Sequence, residues 1–299
     1  MSNPRISRLF LISIFLVGCN AEHSFDRMPT QRFAQMAPPA SGDPGTPGTL
    51  GGKPKPDTVC DPFSNPVGGT GTTAANGLNA RLYYVPMGMG PGSALEYPKA
   101  GTLVDAEIFF SQLNVPTRPF TAGFATSSGG ALKTKDGDTL VEYFGLQFES
   151  RVGLAPGDEP GLYQFAVLSD DGSVLQVKPS ADGAFETLID NDGDHPTRME
   201  CAGRAVQLAS DTRMPVQLNY YQGPKWHIAL LLMWRKVAPG DASLEEQECG
   251  LAGNEYFFDD QTSVPNARYQ GLLDRGWKPL SPRNFYLRES SGPNPCVDS

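Results

Sequence analysis

The chain has 299 residues, with 24 Lys and Arg against 33 Asp and Glu and a formal net charge of −9. Such acidity disfavours nucleic acid and other phosphate-dominated partners. No phosphate loop, dinucleotide glycine pattern or nucleophile elbow is present, so no motif points to nucleotide binding or to elbow-type serine hydrolysis.

Residues 1–18 read as a lipoprotein signal peptide. Arg5 and Arg8 precede the apolar run Leu9–Val17, which is too short to span a bilayer as a stable helix. Leu16-Val17-Gly18-Cys19 resembles a bacterial lipobox, in which Cys19 is lipidated and becomes the mature N-terminus. Asn20, rather than Asp, fits outer-membrane sorting. The expected location is therefore the bacterial cell envelope, as an outer-membrane lipoprotein exposed at the surface and held by its N-terminal lipid.

Residues 19–76 read as a flexible Pro/Gly/Thr-rich tether, because so few large apolar groups cannot offset the entropy of ordering. Only Cys60-Asp61-Pro62-Phe63 interrupts it. Besides Cys19 the chain has Cys60, Cys201, Cys249 and Cys296. An exported chain meets oxidising conditions, so two disulfides are expected, with three possible pairings. Cys249 with Cys296, leaving Cys60 with Cys201, is the preferred pairing. The spacings do not suit a metal site.

Residues 77–238 carry many short β-runs separated by Gly/Pro-rich turns, the pattern of an antiparallel β-sandwich. The folded region opens at Gly77–Val85, Glu107–Phe110 makes a short element, Phe120–Phe124 is a candidate strand, and Leu140–Phe144 is a further apolar run. Leu146, Phe148 and Val152 alternate with Gln147 and Glu149 and mark a strand with one core face. The runs Leu162–Leu168 and Val174–Val177 read as neighbouring strands joined at Ser169-Asp170-Asp171-Gly172-Ser173. Two adjacent carboxylates repel unless water, a cation or hydrogen-bond donors offset the repulsion. A solvated acidic turn and a ligand site both fit that corner.

The loop Asp190-Asn191-Asp192-Gly193-Asp194-His195 fails the test for a helix-loop-helix calcium site, since its glycine falls at the fourth place and Cys201 stands at the twelfth. His195 is read as a structural hydrogen-bonding residue of that loop. Arg204–Leu208 and Met214–Tyr221 are strands, and Ile228–Trp234 is a core strand ending on a packed tryptophan. Residues 239–299 form a C-terminal extension, too rich in large apolar groups to be a disordered tail and expected to pack on the sandwich. Within it, Ser243 is expected to cap a helical turn and Asn284–Leu287 to add an edge strand.

The segments GLYQFAVLSDDGSVLQV, TLIDNDGDH, PVQLNYYQG and IALLLMWRK occur in that order. The series resembles the anthrax protective-antigen fourteen-kilodalton domain family, found in bacterial toxins, glycosidases and fungal flocculins and adhesins. The resemblance covers about residues 77–236 and implies an all-β, protective-antigen-type sandwich, here with a disulfide-stapled extension. In the carbohydrate-binding fungal members, two adjacent Asp joined by a cis peptide hold Ca²⁺. A nearby loop there adds an Asn and backbone carbonyls, and sugar hydroxyls complete the shell, as suits a hard cation with open positions. Asp170 and Asp171 match the pair. The loop Gln222–His227 departs from the pattern: it has no Asn or Asp and brings Lys225, so Asn219, Asn191 or loop carbonyls would have to substitute. Trp226 either stacks on a sugar face or caps the core edge.

The resemblance thus implies Asp170, Asp171, Lys225, Trp226 and Asn191 as ligand-binding residues, and Asp170, Asp171 and Asn219 as ligands of a Ca²⁺ cofactor. The expected function is non-catalytic, Ca²⁺-assisted binding of a surface glycan or surface protein in adhesion. The alternative is a structural or protein-interaction lipoprotein without metal. A third reading, a glycoside-active enzyme, conflicts with a carboxylate pair too close to straddle a glycosidic bond and its water.

Overall fold

The computed structural model describes residues 57–63, 73–180, 183–224, 227–238 and 243–297. The signal peptide, Cys19, most of the expected tether, Lys225 and Trp226 lie outside the described residues. In chain order the elements are β1 Asp57–Cys60, β2 Leu78–Tyr84, helix α1 Tyr97–Ala100, β3 Thr102–Leu103, β4 Ala106–Phe110, β5 Asn114–Pro119 and β6 Phe144–Val152. There follow β7 Gly161–Asp170, β8 Ser173–Val177, β9 Glu186–Asn191, β10 Arg198–Cys201, β11 Val206–Leu208, β12 Met214–Gln222 and β13 His227–Lys236. Helix α2 Ala267–Asp274 and the short strands β14 Lys278–Pro279 and β15 Phe285–Tyr286 belong to the extension.

The strands make a β-sandwich. One sheet runs β1-β4-β2-β6-β12-β8-β9, with β3 on β2 and β15 on β6; the other runs β10-β7-β13-β14, with β11 on β7 and β5 on β13. Pairings are antiparallel apart from β1 with β4, which is parallel. Alternate residues of the two sheets meet in one core: Phe144, Leu146, Phe148 and Val152 of β6 and Val216, Leu218 and Tyr220 of β12 face Phe165 and Val167 of β7 and Leu230, Leu232 and Trp234 of β13.

The run Ile228–Trp234 is continuously apolar because β13 is buried on both faces. Its other residues, Leu231 and Met233, join Ala166, Leu168 and Met199 against Phe257, Phe258, Tyr269, Leu272 and Trp277 of the extension. Glu246 fastens this second core. Its carboxylate accepts from Trp277 Nε1 at 2.9 Å and from Arg275 at 2.7 and 3.0 Å, and the Arg235 guanidinium lies 5.0 Å from the Trp277 ring centroid. Asn266 caps α2, its side chain accepting from the backbone N–H groups of Arg268 and Tyr269.

The structure departs from the sequence reading in five places. The ordered chain begins before residue 77: Asp57–Cys60 is a strand, and Phe63 is a buried core ring packed 5.4 Å from Phe110 and 5.1 Å from Phe120. The disulfides are Cys60–Cys296 and Cys201–Cys249, each with Cα atoms 5.6 Å apart, not the preferred pairing. The reason is register: β10 brings Cys201 beside the turn holding Cys249, where Gly250 N–H donates to Met199 O at 2.7 Å. Strands β7 and β8 are not neighbours, because the corner between them crosses from one sheet to the other. Phe120–Phe124 is a loop following β5 and not a strand. The extension's helix is α2, with no helical turn at Ser243.

Candidate cation and ligand-binding cavity

The sheet-crossing corner builds the site. β7 ends at Asp170 and β8 starts at Ser173, so Asp170-Asp171-Gly172 sits on the sandwich rim, and the Asp170–Asp171 peptide is cis. Both sheets hold the corner. Tyr220 Oη donates to Asp170 O at 2.6 Å, Tyr221 N–H to Gly172 O at 3.0 Å, and the hydroxyls of Ser169 and Ser173 lie 2.8 Å apart. Gly172 is required by close approach: a Cβ there would stand 2.5 Å from Tyr221 Cε1 and 2.8 Å from Gly193 N.

Asp170 and Asp171 are only 6% and 7% exposed, yet both line a cavity of about 280 Å³ open to solvent. Its wall is completed by Asp194, His195, Pro196, Pro224, His227 and Asn254. Asp171 Oδ2 accepts from Gly223 N–H at 2.7 Å and Oδ1 from His195 N–H at 3.2 Å. Asp170 is less well served, with the Thr197 backbone N–H as its donor. Burial first, and the neighbouring Asp171 charge second, push the Asp170 carboxyl up to about 8. Burial also raises Asp171, against the two N–H bonds it accepts. Asp194 Oδ1 accepts from Tyr221 Oη at 2.6 Å, and burial followed by that bond holds the phenol protonated. No Lys or Arg ion pair among the described residues involves Asp170, Asp171 or Asp194.

Asn254 comes from the extension. Its Oδ1 accepts weakly from Thr197 N–H at 3.4 Å, the same donor that serves Asp170, while Gly253 N–H donates to Thr197 O at 2.9 Å. His227 Nε2 stands 3.6 Å from Asp260 Oδ2, a second link between cavity wall and extension. The extension therefore forms one side of the cavity.

The structure places Asn191 and Asn219 elsewhere, while Lys225 and Trp226 lie outside the described residues. Asn191 is fully buried and its amide is consumed internally: Nδ2 donates to Ser169 Oγ at 2.9 Å and Oδ1 accepts from Arg198 Nε at 2.6 Å. It locks β9 to β7 and does not line the cavity. Asn219 precedes Tyr220, which points at the corner, so strand alternation turns it to the opposite face, where Oδ1 accepts from Gln147 Nε2 at 3.2 Å. His195 is structural, as read from the sequence: Nε2 lies 2.9 Å from Asn191 O and Nδ1 2.9 Å from Pro196 O.

The cavity thus contains hard-oxygen groups that suit Ca²⁺ better than a soft metal. Among the described residues no three His, Cys, Asp or Glu side chains form a self-sufficient metal cluster. The residues would fit only an open site, in which Asp170 and Asp171 would supply charge and a ligand would have to supply much of the shell. Asp194 and Asn254 add oxygens at its edge.

No family model matches the chain, and no curated protein does. Solved structures do. The PA14 sugar-binding domain from an RTX adhesin matches at 16% identity and a TM-score of 0.30, over 55% of this chain and 91% of its own. The PA14 domain of MpAFP antifreeze protein matches at 13% identity and 0.36, over 59% and 88%. The epithelial adhesin 6 A domain from Candida glabrata, in complex with Galβ1-3GlcNAc, matches at 15% identity and 0.38, over 72% and 98%. At these TM-scores the likeness carries no conclusion about ligand or activity.

Proposed function

We propose that this chain is a non-catalytic glycan-binding module that works in surface adhesion, holding Ca²⁺ at Asp170 and Asp171 with sugar hydroxyls completing the shell. One observation carries the reading: two nearly buried carboxylates face an open cavity without a Lys or Arg partner among the described residues. Burying carboxylates this way is unfavourable unless something offsets their charge. A bound cation does so, and its open positions are where vicinal hydroxyls bind. Asn254 would offer a side-chain oxygen from the cavity wall. The lipid at Cys19 and the tether would present the cavity outward from the membrane. A purely structural corner would need no open cavity beside the two carboxylates.

Calorimetric titration of the chelator-treated protein with Ca²⁺ tests this reading. One-site binding, lost in both Asp170→Asn and Asp171→Asn, is the expected outcome. Absence of heat together with no thermal shift on adding Ca²⁺ would refute the calcium reading.

A further inference from the structure

A second cavity, of about 660 Å³, opens beyond the other end of β8. The 5 residues of β8 separate Lys178 in its wall from the Asp170–Gly172 corner, roughly 17 Å of extended chain at about 3.3 Å per residue. Among the described residues its wall contains Arg151, Lys178, Arg204 and Arg213, and no Asp or Glu. That is an unusual concentration of cations in a chain of net charge −9. Two acidic partners stand nearby: Glu289, 90% exposed and 3.2 Å from Arg151, and Glu186, which pairs with Arg204. Exposed pairs of this kind are weak and readily exchanged. Four cations in the wall against these two anions, with Asp211 beside Thr212, still leave positive charge in excess.

Two further features point to a missing partner. Arg151 Nε is buried with no hydrogen-bond partner in the structure, and Lys178 forms no side-chain hydrogen bond or ion pair among the described residues. A buried donor left unpaired is unfavourable by itself, so the Arg151 side chain gains from any ligand-induced shift that pairs it. The remaining guanidinium is preorganised: Arg213 lies 3.9 Å over the Tyr286 ring and donates to Thr212 O at 2.6 Å.

We propose that this cavity binds a tetrahedral oxyanion, sulfate or phosphate, free or as an ester. Guanidinium forks match the oxygens of such groups, and a concave site of this volume lies within the roughly 300–1,000 Å³ typical of small-molecule sites. A flat anionic bilayer would meet an exposed basic patch rather than a recessed one, so a soluble ligand is favoured. The site is independent of the Asp170–Asp171 cavity and does not rest on the glycan reading.

The test titrates the full chain, in chelator at low salt, with inorganic sulfate, inorganic phosphate and a sulfated disaccharide beside its unsulfated form. The expected result is saturable binding of the charged probes only. It weakens about tenfold or more in Lys178→Ala/Arg204→Ala, is unchanged in Asp171→Asn, and falls as salt shortens the Debye length. Lys178 and Arg204 are chosen because Arg151 and Arg213 also hold the C-terminal segment, through Leu287 O and Tyr286. Tighter binding of the ester than of the free ion would identify an ester as the ligand, and equal binding the free ion. No saturable binding, or equal binding by the double variant, would overturn the proposal. So would binding to phosphatidylglycerol vesicles without binding to the soluble probes.

Discussion

Replacing Asp170 with Asn should make the folded chain gain stability relative to wild type as the pH rises. Asp170 is pushed from 3.8 up to about 8 by burial and by Asp171. Between about pH 4 and pH 8 the folded chain therefore keeps a proton that the unfolded chain has released. Stability falls with rising pH wherever the folded state binds more protons, so wild type weakens across this window. Four pH units at about 1.4 kcal/mol each set a ceiling of roughly 5–6 kcal/mol. Water entering the open cavity reduces that to about 2–4 kcal/mol. Asn keeps the side-chain shape and the oxygen that accepts from Thr197 N–H, but it does not ionise. Urea denaturation of both proteins in chelator, at pH 4.5, 6.5 and 8.5, reads the difference. The variant should match wild type within about 1 kcal/mol at the lowest pH and exceed it by about 2–4 kcal/mol at the highest. Parallel pH dependences would show that Asp170 ionises freely, and the account of a charge-strained pair would fail.

Gly172→Ala should destabilise the fold by about 1–3 kcal/mol, because the new Cβ meets the Tyr221 ring and the Gly193 backbone; a wild-type denaturation midpoint would contradict the close packing of the corner. Trp277→Ala should cost about 3–5 kcal/mol and open residues 243–297 to limited proteolysis, since Trp277 anchors the second core and donates to Glu246. A variant with unchanged protease resistance would mean that the extension is held by other contacts. Asn254→Ala should weaken Ca²⁺ binding several-fold while changing stability by no more than about 1 kcal/mol. Equal affinity would remove the extension from the site.

The sandwich was legible because its signals are local. Alternation at Leu146–Val152 and the apolar run Ile228–Trp234 each follow from which faces are buried. The corner was legible as an acidic break between two strands, but not as a crossing from one sheet to the other. Long-range pairing was not. Cys60 and Cys296 are 236 residues apart, and nothing in their neighbourhoods specifies the partner. Phe63 looked isolated in a polar stretch because its neighbours, Phe110 and Phe120, lie far along the chain. Asn219 and Asn191 suited Ca²⁺ by residue type, but strand parity and an internal hydrogen-bond network direct them elsewhere. Asp194 carried a signal in its acidic loop. Asn254 carried none, since only the docking of the extension brings it to the cavity wall.

A glycan array probed with the wild-type chain, once with Ca²⁺ and once with chelator, tests the central claim most directly. The account predicts a defined set of neutral glycans bound only with Ca²⁺ and lost in Asp171→Asn. Binding that persists in chelator and in that variant, or no glycan bound while Asp171→Asn remains folded like wild type, would contradict it.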